Sequence, residues 1–171
     1  PQDEYYQNIL FNKAMVLQES GRDQAALALL RQVERLRIAR VGKEHALIGD
    51  TARLIGEAQA ALGENAEARA RLQQAVRLTH AGYDSAHPNA RRADLSLALF
   101  DLRQIAAATE SVSPNEATTD VDAPPAAATQ DLTAESNAVL ARLETLAALP
   151  QGDPELRKIA WVAAAAVAAT H

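Results

Sequence analysis

"ESGRDQAALALLRQVERL" (residues 19–36) and "ALGENAEARARLQQAVRL" (residues 61–78) are two versions of one segment. Gly21 pairs with Gly63, Ala26 with Ala68, Leu30 with Leu72, Gln32 with Gln74 and Leu36 with Leu78, all at an offset of 42 residues, and His45 pairs with His87 at the same offset. A fixed offset over that many positions is an internal repeat. In each copy apolar residues recur at helical spacing on both sides of the glycine, which stands where one helix must stop and the chain reverse. The repeating unit is therefore a helical hairpin.

The composition of the whole chain agrees. The chain of 171 residues is 48% hydrophobic but only 4% aromatic, with Ala and Leu greatly outnumbering Val and Ile, a balance that favours helix over strand. The length is that of one ordinary domain able to bury a core without staples. Cysteine is absent, which excludes disulfides, thiolate zinc sites and a cysteine nucleophile and leaves the redox compartment open. A net charge of −5 argues against nucleic-acid binding, which needs a basic surface to displace counterions from phosphate. The chain begins at Pro1 with neither Met nor a charged-then-apolar leader, so it is expected to be a piece of a longer protein. Localisation is not fixed by the sequence; cytoplasm is favoured, with the periplasm open if an upstream anchor exists. "IAWVAAAAVAA" (residues 159–169) falls short of the roughly 20 residues that cross a bilayer and is expected to be a buried helix.

The pattern of small and apolar positions resembles the tetratricopeptide repeat, in particular the 42-residue variety of kinesin light chains and many bacterial signalling proteins. Leu10, Ala14, Leu17, Gly21, Ala26, Leu30 and Val33 carry the resemblance in the first copy, and Ala52, Ile55, Gly56, Gly63, Ala68, Leu72 and Ala75 in the second. It covers about residues 5–105. Ala14 and Gly56 let the second helix of a hairpin approach the first closely, and Ala26 and Ala68 do the same from the other side. Lys13, Gln59, Asp94 and Asp101 depart from the pattern.

A third copy begins near residue 85 with a helix expected over about 88–108. Residues 109–130, "TESVSPNEATTDVDAPPAAATQ", hold Pro, Ser, Thr and acids and almost no large apolar side chain, the composition of a long disordered loop. Val139, Leu143, Leu146 and Leu149 mark a helix over 131–149, taken as the displaced second helix of the third copy. Asp153, Pro154 and Glu155 start a closing helix over 154–169. The expected fold is all-α: a right-handed α-solenoid of about seven antiparallel helices in a single domain over 1–171, with repeats at about 5–42, 43–84 and 85–150.

No catalytic constellation stands out. His45, His80, His87 and His171 lack the spacing that would let two of them converge on a metal, and "GKEH" and "DSAHP" resemble the inter-repeat turn of kinesin-light-chain repeats, in which the His caps or packs the turn. Neither a nucleophile elbow nor a Gly-rich phosphate loop is present. The expectation is no enzyme, no cofactor and no metal.

Stacked hairpins line a concave groove with their first helices. By the resemblance, the groove is faced by Asn8, Phe11, Met15 and Gln18 from the first helix, Asp50, Arg53, Glu57 and Ala60 from the third, and Arg92, Leu95, Leu99 and Leu102 from the fifth. Arg53 and Arg92 beside apolar side chains suit a peptide with an apolar anchor and a carboxylate, since Arg grips carboxylate bidentately. The alternative is that the leucines pack the fifth helix and the arginines are solvated. Thr109, Ser111, Ser113, Thr118, Thr119 and Thr129 are candidate phosphoacceptors, although a solvated insertion is the favoured reading of their loop. The resemblance implies a protein-interaction module that holds a peptide or helix of a partner, as the accessory or sensor part of a larger bacterial signalling protein such as a kinase or regulator. The Ala-rich, Arg-over-Lys composition points to bacteria. A second reading is a structural spacer or docking domain, with Trp161 on its docking face and homodimerisation open. Neither nucleic acid nor membrane is expected as a partner of this segment.

Overall fold

A computed structural model describes residues 2–112 together with 134, 137–139, 141–143 and 145. Among these every regular element is an α-helix: α1 (Gln2–Glu19), α2 (Asp23–Val41), α3 (Ala46–Ala61), α4 (Asn65–Gly82) and α5 (Pro88–Val112). The chain divides into two compact units, Pro1–Leu97 and Ala98–His171. In the first, α1 pairs with α2 and α3 with α4, and α2 and α1 also meet α3, so the hairpins stack side by side as in a helical solenoid.

The two hairpin turns are built alike. Gly21 takes φ +71° and Gly63 φ +80°, the left-handed region open to glycine at no steric cost. At the first turn the Arg22 N–H donates to Leu17 O and the Gly21 N–H to Gln18 O; at the second, Glu64 donates to Gln59 O and Gly63 to Ala60 O. This paired pattern satisfies helix-end carbonyls that would otherwise be orphaned. The paired histidines also do the same job. His45 caps α3 through Nδ1, which accepts from the Leu47 N–H at 3.1 Å, and His87 accepts from the Asn89 N–H at 3.2 Å. As the turn motif implied, each His punctuates the boundary between hairpins.

Small residues set the helix spacing. Ala14, Ala26 and Ala68 are fully buried, as expected for close-approach positions. In α3, Gly49 and Gly56 stand seven residues apart on the face toward α4. A Cβ at Gly56 would lie 2.8 Å from Leu72 Cγ and 3.1 Å from Ala68 O; one at Gly49 would lie 2.9 Å from Thr79 Cγ2 and 3.1 Å from Ala75 O. The core beside this seam joins Ala14, Leu27, Leu30, Leu54, Ile55 and Ala58, with Phe11, Met15 and Leu29 packed against it. Ala93 of α5 joins Ala52 and Ala75 in a second cluster, bringing the start of α5 against α3 and α4.

The departures from the repeat pattern resolve individually. Gln59 is buried in the place of an aromatic ring and donates to Glu64 Oε2 at 3.1 Å. Asp94 pairs with His80 of α4 at 2.8 Å. Lys13 is exposed and Asp101 half-buried. One boundary is corrected: α5 continues to Val112 rather than ending near 108, so Thr109 and Ser111 are helical. The rest of the expected loop, the closing helix at 154–169 and Trp161 lie outside the described residues. The described positions of the 131–149 segment are helical, with Val139 and Leu143 buried.

Replacing a mid-helix glycine by alanine ordinarily gains about 1 kcal/mol of helix propensity. At Gly49 the added methyl meets backbone and Cβ atoms that cannot swing away, and overpacking costs about 1–3 kcal/mol. Urea denaturation of Gly49→Ala is expected to give a lower midpoint than the parent; a higher midpoint would mean that α3 and α4 are not held this close.

Candidate partner-binding surface

The side chains expected to face the groove begin with α1. Phe11, Met15 and Gln18 are half-buried and Asn8 is exposed, on successive turns of one face. Gln18 Nε2 donates to the Leu54 carbonyl of α3 at 3.0 Å, tying the two helices at one end. Towards the other end the tie comes from α2. Arg37, only 3% exposed, donates from Nη1 to Thr51 Oγ1 (2.8 Å) and Leu47 O (3.2 Å) of α3, and from Nη2 to Asn8 Oδ1 of α1 (3.4 Å). Its guanidinium carbon lies 4.3 Å above the centre of the Phe11 ring, a cation–π contact. Burial disfavours the charged guanidinium and lowers its pKa, while Asp50 pulls it back.

Asp50 follows on α3. Its Oδ2 accepts from the Tyr83 hydroxyl at 3.2 Å and from Asn89 Nδ2 at 3.1 Å. The Tyr83 ring stacks on His87 with centroids 4.0 Å apart, so the residue that caps α5 also supports the tyrosine that reaches the aspartate. Burial raises the Asp50 carboxyl above the ordinary carboxylate range; the Tyr83 hydrogen bond, Arg53, Arg37 and His87 oppose it without cancelling it. Tyr83 is raised as well, first by burial and then by the neighbouring Asp50. One turn on, Arg53 Nη1 meets Glu57 Oε1 at 2.6 Å, and the Ser96 hydroxyl of α5 donates to that oxygen at 2.6 Å.

Asn8 and Gln18 of α1 are thus linked to α3 through Arg37 and the Leu54 carbonyl, Asp50 and Glu57 of α3 are bonded to Asn89 and Ser96 of α5, and Arg92 is exposed on the adjoining stretch of α5. Leu95 is 5% exposed, its side chain enclosed rather than open to solvent. Leu99 and Leu102, both half-buried, belong to the second unit. On α5, Asn89 and Ser96 hydrogen-bond to side chains of α3. Sequence reasoning passed over these two, Tyr83 and Arg37. A signal for Arg37 was present: Ala26, Leu30 and Val33 mark the buried stripe of α2, and residue 37 continues it by one further turn. Its repeat partner, Thr79, is likewise polar and fully buried.

No group of three or more His, Asp or Glu side chains that could hold a metal occurs among the described residues, and no described helix is long and apolar enough to cross a membrane. Residues 5–79 match the family model of the tetratricopeptide repeat. The match runs from α1 nearly to the end of α4, so both hairpins are similar to tetratricopeptide repeats. Such repeats generally serve as non-catalytic modules for protein–protein interaction. A search of curated proteins returned no match to the chain.

Because the folded chain holds the Asp50 proton to higher pH than the unfolded chain, the group lowers stability as pH rises from the unfolded pKa to the folded one. Carbon-detected NMR of the Asp50 carboxyl is expected to give a midpoint above that of an exposed aspartate. Arg53→Met should raise it further, since Arg53 favours the ionised form. A midpoint at or below the exposed value would contradict the burial of Asp50.

Proposed function

We propose that the chain binds a peptide or helix of a partner protein along the face formed by α1, α3 and the start of α5, as the accessory or sensor part of a larger bacterial signalling protein such as a kinase or regulator. The supporting observation is the ordered row of half-exposed side chains across two successive repeats. Phe11 and Met15 offer apolar anchorage on α1, while Asp50, Arg53 and Glu57 offer polar recognition on α3, with Asn89, Arg92 and Ser96 beside them on α5. An extended surface of this kind fits an extended or helical polypeptide better than a small molecule enclosed in a cleft.

The ion pair refines the expected chemistry. Arg53 already faces Glu57 at 2.6 Å, so a partner carboxylate would have to displace Glu57 or share the guanidinium with it. The favoured ligand segment therefore carries both an apolar residue for Phe11 and Met15 and a polar or zwitterionic stretch that satisfies Arg53 and Glu57 together.

Exchanging the pair, Arg53→Glu with Glu57→Arg, preserves an ion pair on one helix face while inverting its direction. Peptides selected by phage display on the full chain are expected to lose at least about tenfold in affinity for this exchange variant, measured by isothermal titration. Selection of no peptide, or of peptides that bind both proteins equally, would sink the proposal for this surface.

A further inference from the structure

Arg37 is a buried cation without a buried anion. It is 3% exposed and, among the described residues, forms no ion pair. The groups that meet it are neutral: Leu47 O and Thr51 Oγ1 accept from Nη1, Asn8 Oδ1 accepts from Nη2, and the Phe11 ring lies against the guanidinium. Its Nε is enclosed with no hydrogen-bond partner among the described residues. Asp50 favours the charge through space, yet burial outweighs it and lowers the Arg37 pKa. A buried charge is costly until an opposite charge meets it with good geometry.

The residue between that guanidinium and solvent is Asn8. Its side chain is exposed, and its 3.4 Å bond to Nη2 is the longest of the three that Arg37 makes. It is a neutral amide at the position where the next repeat carries a carboxylate, since its counterpart at the offset of 42 is Asp50. A flip of the Asn8 amide replaces the acceptor Oδ1 by the donor Nδ2. Two donors, Nη2 and Nδ2, then converge on one point, and an anion satisfies both. Arg40, three residues on in α2, adds a second cation near Arg37. Two acids oppose an incoming anion: Glu4, which pairs with Arg40 at 3.2 Å and is 57% exposed, and Asp50, whose Oδ2 is held by Tyr83 and Asn89. Arg53, the carboxylate grip expected from the sequence, already holds Glu57 at 2.6 Å.

We infer that Arg37 and Asn8 form a carboxylate subsite of the peptide face. A partner carboxylate takes the place of Asn8 Oδ1, accepts from Arg37 Nη2 and Asn8 Nδ2, and gives the buried guanidinium a counter-charge. The subsite adjoins Phe11, so the ligand segment carries an acidic side chain next to its apolar anchor. The inference rests on α1 and α3 being the partner face, but the subsite exists without a partner peptide and a small acid can probe it.

The probe is hydrocinnamate, a carboxylate joined to a phenyl ring by a short chain, with its primary amide as the neutral control. NMR titration of the full chain at low salt, followed at Asn8 Nδ2 and Arg37 Nε, is expected to give saturable shifts with the acid and at least about tenfold weaker binding of the amide. Asn8→Asp should raise the urea midpoint by supplying the counter-charge internally, and should abolish binding of the acid. Arg37→Met should abolish it too, with circular dichroism checking the fold; if that variant does not fold, the two Asn8→Asp readouts decide. Equal affinity for acid and amide, shifts centred on Arg53 instead of Arg37, or an Asn8→Asp protein that gains no stability and still binds the acid would overturn the inference. Saturable binding of the acid at Asn8 together with failure to select any peptide would count against the peptide face and for the subsite.

Discussion

A guanidinium enclosed among three helices is the constraint on which the first two repeats depend. Arg37 leaves α2 along its apolar stripe, where a charge is costly unless its donors are satisfied. Its two terminal nitrogens donate to Leu47 O and Thr51 on α3 and to Asn8 on α1, with Phe11 as a floor. These bonds tie α1, α2 and α3 together in the observed placement. Interchangeable apolar contacts would let the hairpins slide on each other, whereas a buried polar network has few satisfactory arrangements. That placement sets Asn8 and Phe11 of α1 against the Arg37 that also reaches Thr51 of α3.

The small-residue seam serves the same end by a different route. Gly49 and Gly56 allow α4 to lie close against α3, and Ala52, Ala75 and Ala93 carry the close packing on to α5. Close packing lets short side chains such as Asn89 and Ser96 reach the carboxylates of α3 directly. The second inter-repeat turn adds to this, since His87 caps α5, stacks on Tyr83 and thereby steadies the hydroxyl that Asp50 accepts. Features that terminate helices therefore also shape the surface.

The hairpins were legible in the sequence because the signals are local. A glycine at positive φ, a small residue at each crossing and a histidine before each new hairpin follow from backbone geometry that a short window contains. The α1 and α3 positions of the proposed surface follow from the same local pattern, once the repeat offset is known. The α5 members were not. A repeat offset of 42 maps equivalent positions, but adjoining helices touch at positions that are not equivalent: Asp50 meets Asn89 and Glu57 meets Ser96, both at a separation of 39. Leu95, equivalent to Arg53, is enclosed instead. Arg37 was hidden because arginine is so often a surface residue that its place on a buried stripe carries little weight until its partners on two other helices are seen.

The central claim is that α1, α3 and the start of α5 form the recognition face, with α2 and α4 as its support. Backbone amide chemical-shift mapping with a peptide selected on the full chain tests it most directly. The account predicts perturbations concentrated at Asn8, Phe11, Met15, Asp50, Arg53 and Glu57, with Asn89 and Ser96 beside them. Perturbations confined to the exposed side of α2 and α4, at residues such as Arg35, Arg69 and Gln73, would contradict it.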